Sequence, residues 1–263
     1  MRQFDAEYLD RTRTGMWADS REALADLGLD DCERVLDVGC GTGVLTRVLR
    51  EETPGEVIGL DADADLLAAV DPPVVRGDAT RLPLHEDAVD LVVCQALLIN
   101  LPDPAAALRE FARVAADRVA VVEPDNARVR VESTVEAESA LARRARRLYL
   151  DGVDTDVALG ASAADLFEAV GLDVVSTRRY DHVRTTAPPY SESALAAARR
   201  KATGEGLDAR PEVATGADDE AAYDALRRDW REMGRAVIDQ MQDGDYERRE
   251  TVPFYVTVGR VPE

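Results

Sequence analysis

Apolar residues follow two rhythms in the first half of this chain. Short runs such as Val35 to Val38 and Glu56 to Asp61 have the β-branched character of strands buried on both faces. Val44, Leu45, Val48 and Leu49 instead recur at helical spacing within Thr42 to Arg50, as do Leu108, Phe111 and Val114 within Pro102 to Ala116. Ala64 to Val70 reads as a short helix, Pro73 to Arg76 as a third strand, Asp87 to Val93 as a fourth and Arg118 to Glu123 as a fifth. This alternation predicts an α/β fold with a doubly wound, mostly parallel sheet. Pro72 and Pro73 cannot donate to a ladder, so the third strand is expected at an edge.

The second half is mainly helical in rhythm. Ser133-x-x-Glu136 has the pattern of a capping box opening a helix to about Leu150, and Ser162-x-x-Asp165 opens another that ends at Gly171. Val174 to Val183 reads as a sixth strand and Thr251 to Val261 as a seventh. Between them, Ser191 to Thr203 and Asp218 to Gln242 are predicted helices, separated by the polar stretch Gly204 to Gly216. An insertion of that length is not plain connection, since structureless loops beyond about 15 residues are uncommon. The expected organisation is an N-terminal helical segment over 1–30, a core over 31–183 and 246–263, and a helical insertion over 184–245. The insertion is the expected substrate cap. Phe4 to Leu27 is predicted to be an amphipathic helix punctuated by Gly15, with Tyr8 and Trp17 either packing it onto the sheet or closing a site as a lid.

The strand-to-helix turn after Val38 carries the chemistry. Asp37-Val38-Gly39-Cys40-Gly41-Thr42-Gly43 spaces three glycines at every second residue, which removes the β-carbons that would hold a ligand off the main chain. The dinucleotide fingerprint needs a third glycine three residues after the second, and Val44 stands there, which disfavours a nicotinamide cofactor. A second carboxylate, Asp61, ends the next strand. With Arg76-Gly77-Asp78-Ala79, Leu82-Pro83-Leu84 and the segment Gln95 to Pro104 following in order, the chain from about Arg34 to Glu123 resembles the class I S-adenosylmethionine-dependent methyltransferases of the type 11 kind.

That resemblance implies a Rossmann-like methyltransferase fold of seven strands with the cap inserted before the last, and S-adenosyl-L-methionine as cofactor. It implies that Asp37, Gly39, Cys40, Gly41 and Gly43 lie against the methionine part, that Asp61, with Ala62 beside it, takes the ribose hydroxyls, and that Asp78, followed by Ala79, lies near the adenine amino group. Gln95 and Trp17 are expected to border the same cofactor. A carboxylate suits a vicinal diol because its two oxygens can accept in parallel. Where many members of the family have a histidine after the fourth strand, this chain has Asn100-Leu101.

In-line methyl transfer needs alignment above all, worth about 7 to 11 kcal/mol at best, and a general base adds about 10²- to 10⁴-fold. Candidates for such a base are His182, Glu123 and Tyr8, with a structural role the competing reading for His182. Glu123 and Asp125 flank Pro124 at the carboxyl end of the fifth strand, the edge where open α/β sheets bind ligands; they bind a substrate there or cap the following helix. Gln95 and Asn100 are suited to orienting rather than to abstracting a proton.

The 263 residues include 52 acidic and 32 basic ones, a net charge of −20, and Lys201 is the single lysine. Such a bias fits a chain from the high-salt cytoplasm of a halophilic archaeon, or an arginine-rich protein of a GC-rich genome. It argues against nonspecific nucleic-acid binding. Arg143, Arg144, Arg146 and Arg147, and Arg227, Arg228, Arg231 and Arg235, read as solvated helix faces with acidic neighbours. No stretch has the length and apolarity of a membrane span or a signal peptide, so a cytoplasmic location is expected. Cys32, Cys40, Cys94 and two histidines make neither a disulfide framework nor a metal cluster, so no metal is expected. The partner expected is a small-molecule substrate. Other readings are an RNA or protein methyltransferase needing a small zinc-binding activator subunit, and a noncatalytic cofactor-binding module. In molar salt the Debye length falls to about 3 Å, which screens acidic self-repulsion. The melting temperature of a halophilic chain is therefore expected to fall as potassium chloride is withdrawn, and a salt-independent melting temperature would reject that origin.

Overall fold

A computed structural model describes residues 15–18 and 20–262. The chain forms two compact units: residues up to Asp125, Ala158–Tyr180 and Pro253 onward in the first, Asn126–Val157 and Asp181–Val252 in the second. The second unit thus takes in a segment before the sixth expected strand as well as the expected insertion.

In the first unit, β1 (Arg34–Val38), β2 (Glu56–Asp61), β3 (Val74–Arg76), β4 (Val89–Gln95) and β5 (Ala115–Pro124) lie in the order β3-β2-β1-β4-β5, all parallel. β3 is the edge, as its prolines require. Helices α1 (Val44–Glu52), α2 (Ala64–Leu67) and α3 (Pro104–Val114) make the crossovers. α1 starts two residues later than its periodicity suggests because Gly43 caps it at φ 76°. The predicted span Pro102 to Ala116 is likewise shortened at both ends. Asp103 caps α3 by accepting from the Ala106 N–H at 3.0 Å, with Pro104 in the first turn, and Ala115 already pairs with Val89 in β5.

Leu36, Val38, Val92, Cys94, Val119 and Val121 pack with Leu108 and Phe111 of α3 and with Phe167 of α5 (Ala163–Ala169), the crossing helix after β5. Both phenylalanines are fully buried, each stabilising the core by about 1.5–3 kcal/mol.

The end of the predicted N-terminal helix takes another form. Gly15–Ala18 is a turn, and Arg21–Leu27 coils as a 3₁₀ helix closed by Gly28 at φ 64°. Arg118 occupies the space a β-carbon on Gly28 would need and donates to the Leu27 carbonyl at 2.8 Å, so the coil is tied to β5. Tyr8 lies outside the described residues.

Among the described residues eight strands form rather than the expected seven. The addition is β6 (Arg130–Ser133), which pairs antiparallel with the first residues of β8 (Arg248–Arg260), while the rest of β8 runs antiparallel to β5. β7 (Asp173–Thr186) also pairs with β8. β6 displaces the predicted capping box: Ser133 is held extended opposite Arg248, its hydroxyl donates to Glu138, and α4 (Glu136–Gly152) starts without a side-chain cap. Ser162 fails as a cap for a related reason, since it ends a short 3₁₀ turn in helical φ and ψ.

The helices of the second unit are α4, α6 (Glu192–Thr203), α7 (Glu205–Asp208), α8 (Pro211–Thr215) and α9 (Glu220–Asp243), the two short ones lying in the polar stretch read as a connection. Ser191 and Asp219 cap α6 and α9 by accepting from the Ala194 and Ala222 N–H groups. Gly234 lets α9 approach α6 closely: a β-carbon there would lie 2.3 Å from the Ala202 nitrogen. Gly234→Ala is expected to cost about 1–3 kcal/mol through overpacking, read as a lower denaturant midpoint with unchanged slope.

Candidate functional site

Parallel pairing of β1 with β2 sets Val38 opposite Leu60 and brings the glycine turn beside the end of β2. Gly39, Gly41 and Gly43 all have left-handed backbones, at φ 70°, 55° and 76°. The Gly39 and Cys40 N–H groups both donate to the Leu60 carbonyl, at 2.7 and 3.0 Å. The Gly41 N–H donates to Asp61 Oδ2 at 2.8 Å, and the Asp63 N–H to Asp61 Oδ1 at 2.9 Å. The Leu97 side chain packs within 2.9 Å of where a β-carbon on Gly39 would stand, and the left-handed backbone there is what favours glycine.

Asp37 sits beneath the turn, buried, and accepts from the Thr46 hydroxyl at 2.6 Å, which ties β1 to α1. Cys40 is buried against Leu67 and Val70, so its side chain fills the underside of the turn. Ala62 accepts from the Arg76 Nε at 3.1 Å, joining the end of β2 to β3. Asp78 is exposed; the Thr80 N–H and hydroxyl donate to its Oδ1 at 2.8 and 2.7 Å and hold its carboxyl below the ordinary range. The Ala79 side chain packs into the core.

The two faces of the sheet divide the residues around the end of β4. Gln95 pairs with Val122 and Cys94 with Val121, so their side chains point to opposite faces. On one face Gln95 donates to the Met16 sulfur at 2.7 Å and accepts from the Trp17 indole N–H at 3.4 Å. Trp17 is 4% exposed, with its ring centroid 5.6 Å from that of Tyr180, and Tyr180 stacks on Phe254 at 5.8 Å. Trp17 is therefore an interior residue here. Tyr180 and Phe254 had no signal in the sequence, because nothing local in a strand aromatic tells which face it meets.

On the other face stands Glu123, fully buried, whose Oε1 accepts from the Leu97 and Leu98 N–H groups at 3.0 and 2.8 Å. It shapes the loop that carries Asn100. Ala96 in that loop has a left-handed backbone at φ 49°, a strained conformation for a residue with a side chain. Asn100 donates to the Ala96 carbonyl at 2.8 Å, and its Oδ1 is buried with no partner among the described residues. Asp125 is buried, and its N–H donates to the Pro253 carbonyl at 2.9 Å. His182 belongs to the second unit; burial, reinforced by Arg184, holds its pKa below the ordinary value.

Residues 36–121 match the family described as a methyltransferase domain. A demethylmenaquinone methyltransferase of Lactiplantibacillus plantarum is 39% identical over 107 residues, covering 36% of this chain and 45% of the relative. A trans-aconitate 2-methyltransferase of Azoarcus sp. is 34% identical over 118 residues, covering 41% and 45%. The chain thus spans just under half the length of these curated relatives. Among solved structures, a protein of Bacillus halodurans described as a methyltransferase has a TM-score of 0.55 at 14% identity, over 94% of this chain and 100% of that one. The methyltransferase in a complex with the Haloferax volcanii Trm112 methyltransferase activator also has a TM-score of 0.55, at 18% identity over 98% and 96%. The chain therefore carries a class I S-adenosylmethionine-dependent methyltransferase fold, and S-adenosylmethionine is the cofactor of that class.

No helix among the described residues is long and apolar enough to cross a membrane, and no group of three metal-ligating side chains occurs among them. All three cysteines are buried and none is in a disulfide. Glu123→Ala would strand the two loop N–H groups in the interior, and is expected to cost about 1–3 kcal/mol each in chemical denaturation.

Proposed function

We propose that this protein transfers the methyl group of S-adenosylmethionine to a small-molecule acceptor. The observation that carries this reading is the state of Asp61. Each of its oxygens is already held by a main-chain N–H, which fixes the carboxylate in place, yet a carboxylate has about four acceptor positions. Those that remain suit the two ribose hydroxyls. The glycine turn fits the same ligand, since Gly39, Cys40, Gly41 and Gly43 present main chain where side chains would obstruct it. Asp37 anchors the turn from below through Thr46.

In this assignment Asp78 takes the adenine amino group, with the main chain at Ala62 and Ala79 alongside. Gln95 and Asn100 border the methyl group. When bound, the cofactor supplies an electrophilic methyl on a positively charged sulfur. The chain's own contribution is alignment, worth about 7 to 11 kcal/mol at best, through a loop whose backbone Glu123 fixes. Glu123 acts as a positioning residue in this account. The account needs no general base, which suits thiol, neutral amine or activated-carbon acceptors.

A small-molecule acceptor is supported by the names of the curated relatives, which specify demethylmenaquinone and trans-aconitate. It is also supported by the acidic chain, which lacks the basic excess that phosphate backbones require. The same acidity supports a cytoplasmic, high-salt setting. A second reading adds an activator subunit, favoured by the likeness to the Haloferax volcanii protein solved with one. β3, only three residues long and unpaired on its outer side, is the strand such a subunit would join.

Calorimetric titration with S-adenosylhomocysteine in molar potassium chloride tests the reading. The wild-type chain is expected to bind, and Asp61→Ala to lose about 1.5–3 kcal/mol for each charge-assisted hydrogen bond, at least about tenfold in Kd. Unchanged affinity would remove the ribose assignment. Binding that appears only after a zinc-binding activator is added would select the second reading.

A further inference from the structure

The second unit has more acidic than basic residues, yet a cluster in its interior carries the opposite charge. Glu250 receives Arg184 on one carboxylate oxygen and Arg248 on the other. Burial raises the Glu250 carboxyl, but the two guanidinia outweigh it and bring the pKa down to about 2. Arg146 of α4 lies in the same field: Glu250 attracts it, whereas Arg248, Arg210 and Arg143 repel it, and its Nη1 donates to the Val129 carbonyl at 2.5 Å. Beside them Glu138 accepts from Lys201, the chain's single lysine, from the Ser133 hydroxyl at 2.6 Å and from the Tyr246 hydroxyl at 2.9 Å.

Arg184 and Arg248 thus share Glu250, Arg248 and Lys201 share Glu138, and Arg146 adds a further guanidinium, so cations outnumber these two carboxylates. Two donors are also left over. Arg184 Nε and Arg248 Nε are buried with no hydrogen-bond acceptor among the described residues, although Arg248 Nε lies 3.1 Å from Glu138 Oε1 as an ion pair. An excess of like charge and a buried N–H without an acceptor are both unfavourable. A ligand bearing two negative charges and several acceptor oxygens removes both deficits. Guanidinium forks are also the groups that hold carboxylates and phosphates bidentately.

We propose that the cluster of Arg146, Arg184 and Arg248 around Glu250 is a binding site for a small dianion, either a dicarboxylate or a phosphate monoester. His182 stands two residues before Arg184 in the same strand, buried and held toward the neutral form by burial and by Arg184, so it adds a polar contact without a further charge. The site lies wholly within the second unit and needs nothing of the chemistry proposed for the first.

The test is calorimetric titration of the full chain with succinate and, separately, with inorganic phosphate, at fixed potassium chloride. Wild type is expected to bind at least one of them. Arg184→Gln and Arg146→Gln are each expected to weaken that binding about tenfold or more, as the loss of a charged donor implies. Arg235→Gln, an exposed position on α9, is expected to bind as wild type. Succinate alone binding identifies a carboxylate ligand, and phosphate alone a phosphate ester. Failure of both anions to bind wild type, or full binding by both glutamine variants, would overturn the proposal. S-adenosylhomocysteine titrated into the same samples reports separately on the first unit. Anion binding without cofactor binding would count against the methyltransferase reading and leave this site standing.

Discussion

The hydrogen bond from the Gly41 N–H to the Asp61 carboxylate, 2.8 Å long, is the contact on which the rest of the first unit's site depends. It joins a turn with no side chains of its own to the end of the neighbouring strand. Together with the two N–H groups on the Leu60 carbonyl, it holds three successive main-chain donors of the turn against β2. A charge-assisted bond of this kind is worth about 1.5–3 kcal/mol, enough to keep an otherwise free glycine segment in one left-handed shape. The same carboxylate keeps acceptor capacity beyond these bonds, which the proposed ribose contact would use.

A second constraint acts from below the loop after β4. Glu123 is buried at the end of β5, and its Oε1 accepts from the backbone N–H groups of Leu97 and Leu98. The strained Ala96 and the buried amide of Asn100 are held in place by that arrangement. On the opposite face, Gln95 is engaged by Met16 and Trp17, so each side of the β4 terminus is fixed by a different part of the chain. The Leu97 side chain of the same loop packs against Gly39.

The second unit follows a different logic. Beside apolar clusters built on Met233, Val237 and Met241 and on Ala145, Leu207 and Leu226 it holds a group of ion pairs, and buried ion pairs are weak sources of stability because desolvation offsets attraction. Glu138 and Glu250 are each satisfied several times over, whereas the guanidinia around them are not. That asymmetry is the ground on which the anion site is proposed. It also accounts for the contrast between an acidic chain and a basic interior cluster.

The pattern of apolar residues was enough to place the five parallel strands, the edge position of β3 and the crossing helices, because each of those features rests on local periodicity and on proline chemistry. The glycine spacing and the position of Asp61 were legible for the same reason: a turn between a strand and a helix is a local object. β6 was not legible, since four residues of mixed polarity become a strand only when β8 supplies the ladder. The capping box at Ser133 misled because that pairing outcompetes a local side-chain bond. Glu123 could be seen at the end of a strand, but its bond to a loop 25 residues earlier could not. Lys201 was visible as the single lysine, yet its burial against Glu138 depends on helices brought together from distant parts of the chain. What the sequence by itself determined was whatever short-range backbone preference and periodicity can specify. The tertiary structure alone decided which charged and aromatic side chains meet, because those contacts join residues far apart in the chain whose positions no local interaction sets.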